Sequence, residues 1–284
     1  MNRTLRMFFA AAALTAAVAL CLPDNAISRS PRTRSSELRN TVSENDIKAE
    51  IQFGREVGAR ILGQYALYES DKLSRYVNLV AGALAMNAGR PEITFRVAVL
   101  KTDTINAYAA PGGYIFVTKG AIEQMEDEAE LAAVIAHEMA HITGKHIVKE
   151  LDITGADDSA ASGLTKMVGG AGDPARAAFA GMVDKAVGIL FERGYKKEDE
   201  KDADMTAVVF MALSGYDPSA MTGYFERIKQ ARGGKPGNTE ILNKTHPSFD
   251  ERISIINKTI EAEGLDGQEY TKGGNRFNEI KKTI

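Results

Sequence analysis

Leu131–Ile142 reads LAAVIAHEMAHI, and this stretch decides the fold around it. Its polar side chains are His137, Glu138 and His141, and all the other residues are apolar. A helix that is apolar on every side lies in a protein core. Because burying imidazoles and a carboxylate without partners is costly, the segment predicts a buried helix whose polar groups meet a partner inside the protein.

The spacing of these polar residues indicates what the partner is. His137 and His141 are four residues apart, so both rings project from one helical face and reach one cation. Glu138 lies one residue further round, where it reaches a water on that cation. The pattern H-E-x-x-H is typical of the zinc-hydrolase helix. Two buried histidines bonded to the backbone are the alternative.

A catalytic zinc site needs a third protein ligand and an open position, and the sequence offers three candidates. His146 is the nearest, with Gly144 before it. A third histidine at metzincin spacing would fall at position 147, which is Ile147. His146 is therefore interpreted as a structural histidine near the helix end, where a positive charge suits the helix dipole.

The second candidate is Glu200. It opens a stripe at helical spacing whose members we expect to face inward: Glu200, Ala203, Asp204, Ala207, Val208 and Met211. Both carboxylates on this stripe need partners in the core. We expect Glu200 to bind the metal and Asp204 to accept the free N–H of a metal-bound ring. Glu198 and Asp199 suit an acidic first turn instead.

The third candidate is His246, which Pro247 places in an extended segment before the next helix. As a neutral donor His246 stabilises the oxyanion of a tetrahedral intermediate, or it caps the metal in a resting form. A surface histidine is the alternative. Arg252 is either a positive group facing the site or a helix-surface residue.

Around this centre the pattern predicts an α+β, mainly helical fold. Helices start at Glu44 and are followed by three short strands at about 93–99, 104–109 and 114–118, with the turn sequence Pro111-Gly112-Gly113 between the last two. This predicts a small antiparallel sheet packed on the active-site helix. The glycine-rich segment 152–173 is either a lid or a linker.

The N-terminus predicts export. Arg3 and Arg6 precede an apolar run that ends before Pro23, which is typical of a signal peptide at 1–22. A flexible leader at 23–43 and one catalytic domain at 44–284 follow. A retained membrane anchor and lipidation at Cys21 are the alternatives.

Composition excludes several classes of protein. The 284 residues are 44% hydrophobic and 26% charged, which excludes a disordered or polytopic membrane protein. The net charge is -3 and residues of both signs are interspersed, so the chain shows no basic face and no nucleic-acid partner is expected. One cysteine excludes a disulfide framework and a thiolate metal cluster.

Four stretches together resemble the zinc metallopeptidases of family 48, which includes HtpX and the CAAX prenyl endopeptidases. They are NAYAAPGGYIFVTKG at 106–120, HEMAHITGKH at 137–146, E-x-x-A-D at 200–204, and His246-Pro247 with Arg252. The resemblance runs from about Asp46 to the C-terminus. It implies a zincin-like fold with one Zn²⁺ per chain held by His137, His141 and Glu200, and a last histidine of the second motif that is not the third ligand.

The resemblance also suggests an activity. Its integral-membrane members carry several spanning helices, whereas this chain has one apolar segment, so we expect the exported branch that acts in envelope protein quality control. We expect a periplasmic endopeptidase that uses a metal-activated water, Glu138 as general base and His246 as oxyanion donor. Unfolded or extended polypeptide would pair with the strand residues Asn106, Ala107, Tyr108 and Ala109. A non-catalytic, zinc-stabilised chaperone or scaffold and a zinc amidase are the rivals.

Overall fold

The protein is mainly helical around a small sheet, in agreement with the predicted fold class. The computed structural model describes residues 44–151, 168, 172–231 and 246–284. The predicted signal peptide and leader lie outside the described residues, as does nearly all of the glycine-rich segment 152–173. Within the described ranges, no helix has the length and apolarity needed to cross a bilayer.

The elements follow the order that the hydrophobic pattern predicts. The helices are α1 (Glu44–Gln64), α2 (Asp71–Ala85), α3 (Lys119–Glu123), α4 (Glu128–Thr143), α5 (His146–Glu150), α6 (Asp173–Gly188), α7 (Lys197–Leu213), α8 (Ala220–Ala231), α9 (Phe249–Ala262) and α10 (Gly274–Lys281). The strands are β1 (Arg96–Leu100), β2 (Ala107–Ala110) and β3 (Tyr114–Thr118).

The sheet is mixed, which corrects the all-antiparallel prediction. Its order is β1-β3-β2, with β3 in the middle. β2 and β3 form an antiparallel hairpin in which Tyr108 is opposite Phe116, whereas β1 runs parallel to β3 with Val97 opposite Ile115. Alternating apolar residues show which face of a strand is buried and carry no information about the direction of its neighbour.

The turn between β2 and β3 is packed against α1. Gly112 has φ 72°, and a Cβ there would lie 2.5 Å from the Cα of Ile51. The buried carboxylate of Glu50 accepts a hydrogen bond from the Gly112 N–H at 3.3 Å and pairs with buried Arg90 at 2.9 Å. Only glycine combines this backbone conformation with this close approach, so α1 and the hairpin are held as one unit.

α4 is the central helix, and almost every residue along it is buried. Asp127 caps its N-terminus by accepting from the Glu130 N–H at 3.0 Å. Glu130 in turn receives two hydrogen bonds of 2.7 Å from Arg227 on α8. The apolar neighbours of α4 come from α2, β2, α7 and α8. Since these elements come from distant parts of the chain, the polar residues of α4 are brought against side chains far from it in sequence.

Candidate metal centre

Three elements bring the predicted site residues together in the core. α4 carries His137, Glu138 and His141, and α7 carries Glu200 and Asp204 on the inward stripe. All six positions of that stripe are buried, as its spacing predicts. His246 and Arg252 approach from the segment that enters α9 and from α9 itself. Because α4 and α7 pack closely along their lengths, the two histidines face the first turn of α7.

The atoms of three side chains form a small triangle. His137 Nε2 lies 3.1 Å from His141 Nε2 and 3.6 Å from Glu200 Oε2. His141 Nε2 lies 3.5 Å from Glu200 Oε1. Tetrahedral zinc with ligand bonds of about 2.0 to 2.1 Å spaces its ligand atoms about 3.3 to 3.4 Å apart. The observed distances of 3.1 to 3.6 Å are close to this spacing, with each histidine next to a different oxygen of Glu200.

Burial supports the same interpretation. Glu200 has no solvent exposure, and its Oε1 has no hydrogen-bond partner among the described residues. An uncompensated carboxylate oxygen in the core is expensive, and a cation would compensate it. The donor chemistry, two imidazoles and one carboxylate, is that of catalytic zinc centres. These residues fit a zinc ion.

His137 is held by a carboxylate and an arginine behind it. Its Nδ1 lies 3.0 Å from both Asp204 Oδ1 and Arg252 Nη2, and its Nε2 faces the triangle. Arg252 is buried and donates to both oxygens of Asp204, at 2.6 Å from Nη2 and 3.0 Å from Nε. Its guanidinium stacks 4.3 Å over the ring of Phe225. Arg252 is thus a buried group of the site and not a helix-surface residue.

His141 has neighbours that the sequence analysis did not assign to the site. The ring of Tyr195 stacks on the His141 ring, with centroids 4.1 Å apart and planes at 14°. His146 Nδ1 lies 2.8 Å from His141 Nδ1. Tyr195 precedes α7 without any motif around it, so no sequence signal pointed to it.

His146 also differs from its predicted role. It opens α5 and is buried to 1% exposure. Burial and the neighbouring His141 hold its pKa well below the ordinary histidine value. The prediction of a positively charged histidine favoured by a helix dipole is therefore wrong, because a fully desolvated imidazole next to other basic groups stays neutral.

The protonation states of the central groups suit metal chemistry. Burial, with Arg252 beside it, lowers the pKa of His137 to about 4, so its ring is neutral and has a lone pair to offer. Burial opposes ionisation of Glu200, yet His246 and His141 hold the pKa of its carboxyl well below the usual value. Burial and the neighbouring Glu200 raise the pKa of Glu138 to about 8. A bound cation would favour the charged form of each carboxylate.

His246 contacts the donor set directly. Its Nδ1 lies 2.7 Å from Glu200 Oε2. One ligand atom from each of His137, Glu200 and His246 lies within 4.8 Å of the others. The side chain of His246 is 10% exposed, so the ring stands at the solvent side of the centre. This position fits either of the two roles that the sequence left open, a donor to substrate or a cap on the metal.

A cavity opens beside Glu138. It encloses about 440 Å³ including its mouth, and His137, Glu138, His246 and Arg252 form its polar end. The remaining wall is apolar apart from Asn106: Ile105, Ala107, Ala121, Val134, Met221, Tyr224, Phe225 and Ile228. The Tyr224 hydroxyl donates to the Ala121 carbonyl at 3.1 Å, so the tyrosine presents only its ring. This cavity accommodates an apolar side chain of a bound ligand.

The predicted substrate strand lies along this centre. β2 is an edge strand, and residues 106 and 107 reach the cavity beside Glu138 while Ala109 lies in a second pocket of about 200 Å³ with His141. The Tyr108 ring packs on Phe191 with centroids 4.5 Å apart, so that side chain belongs to the core. Asn106 is buried and its Nδ2 has no hydrogen-bond partner among the described residues.

Comparison with known proteins agrees with this geometry. The beta-barrel assembly-enhancing protease of Escherichia coli (strain K12) is 26% identical over 215 residues, which is 73% of this chain and 43% of that protein. The mitochondrial metalloendopeptidase OMA1 of Schizosaccharomyces pombe is 27% identical, covering 72% of this chain and 57% of its own. The metalloprotease YcaL of Escherichia coli (strain K12) is 24% identical, covering 78% and 82%.

This chain therefore spans less than half the length of the beta-barrel assembly-enhancing protease. Residues 71–260 match peptidase family M48, and this match includes α4, α7, His246 and Arg252. The matched region is more than half of the chain, and the protein is a member of peptidase family M48.

Proposed function

We propose that the protein is a zinc-dependent endopeptidase that cleaves unfolded or extended polypeptides of the bacterial envelope. The observation that carries the proposal is the triangle formed by His137, His141 and Glu200 directly beside Glu138, at the mouth of an apolar cavity. The names of several relatives describe proteases, and that of the first describes an action on beta-barrel assembly. The predicted signal peptide supports export to the periplasm.

His137, His141 and Glu200 would hold the zinc, with Asp204 and Arg252 orienting His137. Zinc bound there supplies Lewis-acid chemistry. Glu138 takes a proton from the attacking water and later gives it to the leaving amine. Its buried position suits this exchange, because burial raises the pKa of its carboxyl to about 8, near that of a group that both takes and gives a proton at neutral pH.

Substrate binding is assigned to the edge strand. Asn106 pairs with Thr118 across the hairpin, its carbonyl accepting from the Thr118 N–H at 3.1 Å. Because hydrogen bonding alternates along an antiparallel ladder, the backbone groups of Ala107 and Ala109 point to the open edge. The Ala107 N–H donates there to Asn106 Oδ1 at 2.9 Å, so a substrate strand has to displace that contact to pair with it. The unpartnered Asn106 Nδ2 adds a donor beside the cavity. An extended chain paired there would be recognised mainly through its backbone, which suits unfolded substrates.

His246 is assigned as the donor to the developing oxyanion. In the described arrangement its Nδ1 bonds Glu200, so substrate has to displace that contact. His246→Ala tests the assignment against the capping role. A fall in kcat of about 10²-fold or more is expected for a donor. Faster cleavage of unfolded protein by the variant would show that the ring blocks the resting centre.

The decisive experiment compares degradation of an unfolded protein such as casein by the purified full chain, with and without a zinc chelator and with Glu138→Gln alongside. Cleavage that both chelation and the substitution abolish is the expected result. Zinc binding without cleavage under any condition would favour the scaffold. Structural zinc usually takes four protein ligands, and that alternative leaves Glu138 without a role.

A further inference from the structure

The two metal-facing histidines are supported in different ways. His137 has the carboxylate of Asp204 directly behind it, with Nδ1 3.0 Å from Asp204 Oδ1. Within the part of the chain that the structure describes, no carboxylate contacts His141 Nδ1, which lies 2.8 Å from the Nδ1 of His146 instead. On the far side of that second ring, His146 Nε2 lies 3.3 Å from Asp202 Oδ2. The ring of His146 thus lies between the ring of His141 and the carboxylate of Asp202.

The backbone after α4 is shaped to bring His146 back onto His141. α4 ends at Thr143, and Lys145 adopts φ 53° and ψ 35°, a left-handed conformation that reverses the chain. A Cβ at Gly144 would lie 2.4 Å from His146 Nε2. Glycine leaves this space free, and the ring of His146 occupies it. Gly144 and Lys145 therefore allow the His146 ring to contact His141.

The hydrogen bonds along this chain of groups allow one consistent arrangement of protons. The carboxylate of Asp202 accepts from His146 Nε2–H, which leaves His146 Nδ1 as an acceptor. His141 Nδ1–H donates to that acceptor, and His141 Nε2 keeps its lone pair. This is the tautomer in which His141 Nε2 faces His137 and Glu200 as a ligand atom.

We propose that His146 and Asp202 are positioning residues that fix the tautomer and ring orientation of His141 for metal binding. This inference rests on the proposed zinc centre. Tyr195 completes the support, since its ring covers one face of His141 at 4.1 Å. Partners behind a ligand imidazole commonly change metal affinity by about 10- to 100-fold when they are removed.

The test compares two substitutions of similar size. His146→Asn keeps an acceptor oxygen close to the position of Nδ1, whereas His146→Leu removes the acceptor and leaves a similar volume. Zinc affinity of the full chain is measured by competition with a chromophoric chelator, and the thermal midpoint of each metal-free protein is recorded. We expect His146→Leu to weaken zinc binding about 10- to 100-fold and His146→Asn to stay within about 3-fold of the original chain.

Equal zinc affinities in the two variants would overturn the proposal, whether both were weakened or neither was, because a packing role depends on volume and not on the acceptor.

If His146→Leu does not fold, Asp202→Ala is compared with Lys201→Ala, an exposed neighbour on α7. Asp202→Ala is expected to weaken zinc binding about 10-fold and Lys201→Ala to leave it unchanged. Equal affinities in this pair would also overturn the proposal. An original chain that binds no zinc would instead refute the proposed function.

Discussion

At the scale of single residues, the centre depends on groups that are buried and still chemically available. Glu138 is 5% exposed and lies next to His137 along α4, at the polar end of the cavity. Glu200 is fully buried, and no group in the described ranges forms a hydrogen bond with one of its oxygens. Buried carboxylates of this kind are costly for stability, and their position at a cavity indicates a chemical role.

Replacing Glu138 with Gln should keep zinc and stop catalysis. The amide has nearly the shape of the carboxylate and cannot take a proton from water, so we expect kcat to fall by about 10²- to 10⁴-fold. Zinc content by atomic spectroscopy and cleavage of a fluorogenic peptide are measured on the same preparation. Normal turnover by this variant would exclude Glu138 as the base.

Glu200→Gln should weaken metal binding, because a neutral amide is a poorer zinc ligand than a carboxylate. The matched control is Glu198→Gln, two residues earlier and exposed in the same first turn of α7. We expect substoichiometric zinc after dialysis for the first variant and full zinc for the second. Unchanged zinc content in Glu200→Gln would indicate that His246 is the third ligand, since its Nδ1 lies 2.7 Å from Glu200 Oε2.

At the scale of elements, helices α4, α7 and α9 bring the candidate site together beside the edge strand β2 and an apolar cavity. α4 supplies the wall of the cavity at Val134, one turn before Glu138 on the same face. α8 supplies the opposite wall through Met221, Tyr224 and Phe225. Because this wall is apolar, we expect bonds flanked by a large apolar side chain to be cleaved fastest.

Filling the cavity should reduce the preference for a large apolar side chain beside the cleaved bond. In Val134→Phe the new ring occupies space that a substrate phenylalanine would use, so kcat/KM for a peptide with Phe beside the cleaved bond should fall about 10- to 100-fold. A peptide with Ala at that position should change little. Leu79→Phe on α2, at a position 68% exposed, is the control. Equal losses on both peptides would place the substrate side chain elsewhere.

At the scale of the whole molecule, one buried carboxylate connects the start of α4 to three other regions. Glu128 accepts hydrogen bonds from Tyr76 on α2, from Tyr216 at 2.7 Å after α7, and from Arg276 on α10. Glu128 is 3% exposed. Since these partners come from distant parts of the chain, this cluster holds the C-terminal helix against the helix that carries the active site.

Removing this carboxylate should destabilise the fold without touching the centre. Glu128→Ala leaves two tyrosine hydroxyls without their acceptor, and we expect the free energy of unfolding to fall by about 3 kcal/mol. Glu126→Ala breaks a pair in which the Glu126 side chain is 69% exposed, and it should cost less than about 1 kcal/mol. Urea unfolding measures both. A similar small cost in the two variants would show that the cluster carries no special stability.

The sequence by itself determined the helix at 131–142, the inward stripe of α7 and the family, because helical period and motif spacing are local properties of the chain. It also indicated Glu200 and Asp204, since carboxylates on an apolar stripe need partners. The helix and the stripe used residues within a few turns of one another, and the family used four short motifs, each local in itself.

Tertiary structure alone decided the direction of β1, the stack of Tyr195 on His141, the contact of His146 with Asp202, and the apolar cavity. These features join residues that are tens of positions apart. Their geometry depends on how helices and strands pack after loops close, and no local periodicity records that packing. The proposed ligands could therefore be identified from the chain, whereas the side chains that contact His141 were revealed only by the fold.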